Sequence, residues 1–247
     1  MEEIKRSMLL VPESDFTMGT SWEKEDDLDY SEEVERKVWL SSYFIQRTCV
    51  TVSQWKTFLH ATNYNWNHIN YLTDRSPSDE HPITHVSWFD ACRFTDWLSY
   101  ELKMEYSLPT EAQWEKACRG NCGQLYPWGN HKKGWEEEFP IYVNANLPVG
   151  SFPDERTPYG CLDMWQNVSE WCLDWFDYGD YVRQDIEWIN PQGPESGDRK
   201  VVRGGNPLTK GWPRCTRRGV ESPETRHQML GFRVVRSASS VAVKALE

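Results

Sequence analysis

Fourteen tryptophans in 247 residues, spread from Trp22 to Trp212, constrain this chain more than any other feature of its sequence. A packed indole buries roughly 150–250 Å², so rings distributed along the whole chain must fill a common interior rather than form one stacking face. A core built on such rings does not need long regular elements. The sequence offers few of them.

Three helices are readable. Ser87 and Asp90 form a capping box, and behind it Ala91, Phe94, Trp97 and Leu98 fall at helical spacing. Thr110 with Gln113 opens a second helix, which carries Trp114 and Ala117 on one face and stops at Gly120. A weaker pattern runs from Ser53 to His60 through Trp55, Phe58 and Leu59. Strands are expected over Val38–Ile45, over Lys200–Arg203 ahead of the Gly204-Gly205 pair, and over Gly231–Val235. Between Gly120 and Lys200 no period is sustained, yet the stretch is too aromatic to be disordered, so it reads as a packed irregular region. With no repeat and no low-complexity linker, residues 1–237 read as one α+β domain and residues 238–247 as a flexible C-terminal tail.

Charge narrows the partners. The chain carries 38 Asp plus Glu against 27 Lys plus Arg, a net charge of -11, and so has no general attraction to nucleic-acid phosphates or anionic lipid. No apolar run of about 18 residues supplies a spanning helix. The opening Met1–Leu10 has acidic residues and only three consecutive apolar ones, unlike a secretory leader, so a cytoplasmic location is expected. Seven cysteines cannot all pair with one another, and reduced thiols fit a chain of this length. The acidic run from Glu23 to Glu35 reads as a solvated loop.

Several motifs follow in order: Phe16-Thr17-Met18-Gly19, Cys49 through Trp55, His81 through Ala91, Leu108 through Glu115, Pro127 through Asn130, Pro148 through Phe152, Tyr159 through Met164, Asn167 through Trp171, Arg203-Gly204-Gly205-Asn206 and Gly231-Phe232-Arg233. This series resembles the formylglycine-generating enzymes, or sulfatase-modifying factors, over about residues 8 to 236. The resemblance implies a single irregular α+β fold of C-type lectin kind.

It also implies an activity, which this chain departs from. Generators of the family hold monovalent copper on two cysteines after the RGG motif and oxidise a cysteine of a sulfatase peptide; two soft thiolates suit Cu(I). Counting on from Arg203, the first cysteine position is Thr209 and the second falls on Arg214, one residue before Cys215. Asn206 stands where generators have serine, and Ser169 where their motif has tryptophan. Copper is therefore not expected as a cofactor. The iron-binding relatives draw histidines from a further domain absent here, and His81 and His85 read as structural histidines. Cys118 and Cys122 lack the second pair that a zinc site needs.

Calcium is the metal that the resemblance implies, on Asp163, Gln166, Val168 and Glu170, with Asn144 at a looser second site; hard oxygen ligands suit it. Turn capping or pairing of Asp163 and Glu170 with arginines stays open as the alternative. Asn167-Val168-Ser169 matches a glycosylation acceptor but falls in a motif expected to be buried.

For ligand binding, Asn206, Thr209, Trp212, Arg214, Arg217 and Arg218 gather with Lys210 in a segment that lines the peptide groove in the family, flanked by Arg203 and Arg233. Guanidinium groups beside a ring can hold a carboxylate or a peptide backbone. The alternative is that these arginines neutralise the chain's own acidic loops. Cys215 is the candidate catalytic thiol, with Arg214 and Arg217 beside it to favour the thiolate.

The expected function is a domain of this family with a degenerate copper site, binding a protein or peptide. The alternatives are an oxidoreductase of altered chemistry acting on a small metabolite or peptide thiol, and a retroelement-diversified ligand receptor of the same fold. The receptor is disfavoured because the Asn/Tyr-rich patch, Asn63 to Tyr71, lies far upstream.

Overall fold

The computed structural model describes residues 1–20, 34–131, 146–177, 188–206 and 214–238, the side chains of residues 73 and 74 set aside. Trp22, Trp212, Asn144, Thr209, Lys210, the acidic run up to residue 33 and the tail from residue 239 lie outside the described residues.

The helices form where polar caps and apolar spacing agree. Ser87 Oγ accepts from the Asp90 N–H at 3.1 Å and Asp90 Oδ2 from the Ser87 N–H at 2.8 Å, opening α4 (Trp88–Leu102). The same reciprocal bonds between Thr110 and Gln113 open α5 (Glu111–Arg119), which ends at Gly120. The weaker helix is α2 (Val52–Thr62); it starts one residue before Ser53 because Thr51 and Gln54 make a third capping box. Two short helices, α1 (Glu2–Ser7) and α3 (Leu72–Arg75), complete the set.

The strands depart from the sequence expectation at three places. Val38–Ile45 is two strands, β3 (Arg36–Leu40) and β4 (Tyr43–Gln46), which belong to different sheets. Val38, Leu40, Tyr43 and Ile45 are all buried, so the alternation slips by one residue at the Ser41-Ser42 break. Gly231–Val235 is also two elements, β10 (Leu230–Gly231) and β11 (Val235–Ser237). Between them the Phe232 and Val234 carbonyls accept from the Val50 and Gln46 N–H groups, each at 2.9 Å, which satisfies the backbone without a continued strand. Finally, the irregular stretch contains the longest strand, β6 (Ser169–Trp175), and β7 (Trp188–Ile189). No residue of β6 is exposed, so no polar alternation marked it.

Three small sheets result among the described residues. In the first, β1 (Met8–Val11) and β11 flank β4, so the two ends of the chain meet across Ile45, with β5 (Tyr106–Ser107) at the outer edge. The second places β3 between β2 (Ser14–Met18) and β7. The third runs β10, β6, β8 (Lys200–Arg203), β9 (Arg218–Glu221). Of the described tryptophans, Trp55, Trp66, Trp97, Trp114, Trp165 and Trp171 are buried. Trp55 lies 4.9 to 6.2 Å from the rings of Phe58, Trp66, Phe94 and Phe232, and Trp114, Trp165 and Trp171 are likewise fully buried. The architecture is the expected α+β type. No helix among the described residues is long and apolar enough to cross a membrane.

Candidate functional site

Pairing in the third sheet brings distant residues to one edge. Ser169 of β6 stands beside Leu230 of β10, and Arg203 of β8 beside Arg218 of β9. The chain leaves β8 through two obligatory glycines. Gly204 has φ +76°, and a Cβ on Gly205 would lie 2.7 Å from the Trp165 ring. Asn206 is thereby set over β6, where its Nδ2 donates to Ser169 Oγ at 2.9 Å. Around this pair lies a cavity of about 380 Å³, lined by Ser169, Val202, Asn206, Arg217, Arg218, Glu221, His227 and Met229 among others.

Beneath the cavity is a buried ionic layer. Arg218 donates to both Glu111 oxygens at 2.7 and 2.9 Å; Arg203 donates to Glu111 at 3.1 Å, to Glu115 at 2.5 Å, and to the Thr216 and Cys215 carbonyls. Burial alone would raise the Glu111 carboxyl, but Arg218 and Arg203 reverse that and hold it at about 2. On the other side of β6, Arg233 grips Glu170 with bonds of 2.6 and 2.7 Å; burial works against the charge of this guanidinium, and Glu170 more than offsets it, raising its pKa.

These contacts correct the expected groove. Arg203 and Arg233 are fully buried, Arg214 is 4% and Arg218 7% exposed, so these four arginines serve the interior, while Arg217 is half-buried at the cavity. Among the described residues, the acids that Arg203, Arg218 and Arg233 meet are Glu111, Glu115 and Glu170. Of the expected ligand-binding residues the structure brings Asn206, Arg217 and Arg218 to the cavity, and Arg214 is not among its lining. Thr209 and Trp212 lie outside the described residues. Glu221, His227 and Met229 were not anticipated. They sit on β9 and in the turn before β10, where nothing in the local sequence marks a site.

Cys215, expected as a lone reactive thiol, is neither lone nor exposed. It is fully buried with its Sγ 2.7 Å from that of Cys118, and burial pushes the Cys118 thiol well up.

The calcium set is also rearranged. Both Glu170 oxygens are taken by Arg233, and Oε2 accepts from Trp114 Nε1 as well at 3.0 Å, so Glu170 is matched by a fixed cation and fits poorly as a ligand. Asp163 fits better: it is buried, its Oδ2 accepts from the Gly150 N–H at 2.6 Å, and its Oδ1 has no hydrogen-bond partner. Glu155, missed in the sequence, adds another such oxygen. Its Oε2 accepts from the Gln166 N–H at 3.1 Å, Oε1 is unpartnered, and burial lifts its pKa to about 8. Among the described residues no three or more His, Cys, Asp or Glu side chains are grouped to hold a metal. Asn167 of the glycosylation match is 3% exposed, with its amide on the Leu147 carbonyl.

Comparison with known proteins agrees with this architecture. The family model described as the sulfatase-modifying factor enzyme 1-like domain matches residues 2–238. The chain is similar to the formylglycine-generating enzyme of Thermomonospora curvata, 28% identical over 94% of each chain. It is 33% identical to the formylglycine-generating enzyme of Mus musculus over 74% of its own length, spanning about half (51%) of that protein. Its fold matches the structure of PvdO from Pseudomonas aeruginosa with a TM-score of 0.72 at 24% identity, covering 93% of this chain and 94% of that one.

Proposed function

This chain belongs to the sulfatase-modifying factor enzyme 1-like family, and from that premise we propose that its sheet cavity binds a protein or peptide segment without the copper-dependent oxidation of the formylglycine generators. The observation that carries this reading is the donor set. Asn206 and Ser169 face the cavity and bond to each other, while Cys215, the thiol nearest in sequence to the expected copper positions, is buried against Cys118. An amide and a hydroxyl suit a peptide backbone, whereas Cu(I) prefers thiolate sulfur. Thr209 offers none. The described cavity lining holds no thiol and so does not fit copper.

Calcium has a structural place in this reading, at Asp163 with the neighbouring Glu155. Its support is the two buried carboxylate oxygens that lack partners, which a hard cation would satisfy while bracing the irregular segment below the cavity.

A competition titration with Cu(I), coupled to an oxygen electrode and a cysteine-containing peptide, tests the proposal. No stoichiometric Cu(I) binding and no peptide-dependent oxygen uptake are expected. One bound equivalent with oxygen uptake would restore the oxidase reading.

A further inference from the structure

We infer, resting on the peptide-binding reading above, that the cavity takes an aromatic side chain bearing a hydrogen-bond donor, Trp or Tyr, as the anchor of the bound segment. Size comes first. An apolar cavity of roughly 150 Å³ holds a benzene ring, and this one measures about 380 Å³, enough for an indole or phenol together with its adjoining backbone.

The lining then selects the class. Val202, Met229 and Leu230 form an apolar floor, each at most 6% exposed. Met229 adds a thioether, which packs well against rings. The rim is polar, with Asn206 and the exposed Glu221 and His227. An apolar body with a polar tip matches that division, since a buried indole N–H or phenol O–H needs an acceptor. Glu221 supplies an acceptor where an aliphatic anchor would have nothing to offer it; His227 Nδ1 already accepts from the Met229 N–H at 3.3 Å.

Charge argues against the other classes. Arg218 is matched by Glu111 beneath the floor, and Arg217 and Glu221 bring opposite charges to the same lining. The site therefore has no excess charge with which to draw in an anionic or a cationic side chain.

The test follows the Met229 methyl by NMR in protein with labelled methionines, assigned with a Met229→Leu variant. The probes are N-acetyl-tryptophanamide, N-acetyl-tyrosinamide and N-acetyl-leucinamide, followed by short peptides with and without Trp or Tyr. The expected result is a saturable ring-current shift of that methyl with both aromatic amides and at least tenfold weaker binding of the leucinamide. Ser169→Trp, which fills the cavity from its own wall, should lose the aromatic probes; the wild-type shift decides the question even if that variant does not fold. A peptide lacking Trp and Tyr that binds in the cavity as tightly as one containing them overturns the aromatic anchor and leaves the peptide-binding reading standing. Failure of every probe to move the Met229 methyl overturns both.

Discussion

Arg233 and Glu170 are each fully buried and held to one another by two short bonds. Removing one member of such a pair strands the other charge, so Arg233→Met should cost about 3–5 kcal/mol in urea unfolding. The double change to Arg233→Met with Glu170→Met should recover much of that loss. A single variant as stable as wild type would contradict the buried pairing. Asp174 gives a pH test. It is fully buried and accepts from the Glu111 N–H at 2.8 Å; burial first, and then the Glu111 carboxylate, raise its pKa from 3.8 to about 7. A carboxyl whose pKa rises on folding contributes less stability as pH climbs from the unfolded to the folded value. The wild type should therefore weaken through this group between about pH 4 and about pH 7. Asp174→Asn keeps an acceptor for the Glu111 amide and removes the titration, so its stability relative to wild type should improve from about pH 5 to about pH 8. A pH-independent difference would count against it. Asp163 answers for calcium: millimolar Ca²⁺ should raise the thermal midpoint of wild type and leave Asp163→Asn unmoved, and an equal rise in both would place the ion elsewhere. At this scale residue identities were legible in advance, but depth was not. Arg218 was visible in a basic cluster that Arg203 and Arg233 flank, while the acids of these three lie 63 to 107 residues away in the chain.

Among the elements, those specified by near neighbours were legible before the structure. α4 and α5 start at their expected capping boxes because the bonds that start them span three residues. β6 was not legible, since a strand covered on both faces shows no alternation. The break between β3 and β4 was hidden because apolar residues resume directly after Ser41-Ser42, one position out of phase, which a loose alternation conceals. The glycine pair after β8 was visible as a stop, and the structure adds why it must be glycine. Gly205→Ala would drive a Cβ to 2.7 Å from the Trp165 ring and should cost about 1–3 kcal/mol, read by thermal unfolding. A fully stable variant would mean that β8 and the Trp165 segment separate more easily than their packing indicates.

For the whole molecule, the family and its α+β fold could be reached from ordered motifs, because those motifs hold the sheets and helices that the structure contains. The cavity could be reached only in part. Asn206 and Arg217 belong to a recognisable segment, whereas Glu221, His227 and Met229 join them through the pairing of β9 with β8 and of β10 with β6, which no local pattern announces. The central claim is that this cavity binds a protein or peptide segment and holds no copper. Anomalous diffraction at the copper edge, from crystals grown with excess Cu(I) under reducing conditions, tests it most directly. The account predicts no copper peak in the cavity beside Asn206; a full-occupancy peak there would contradict it.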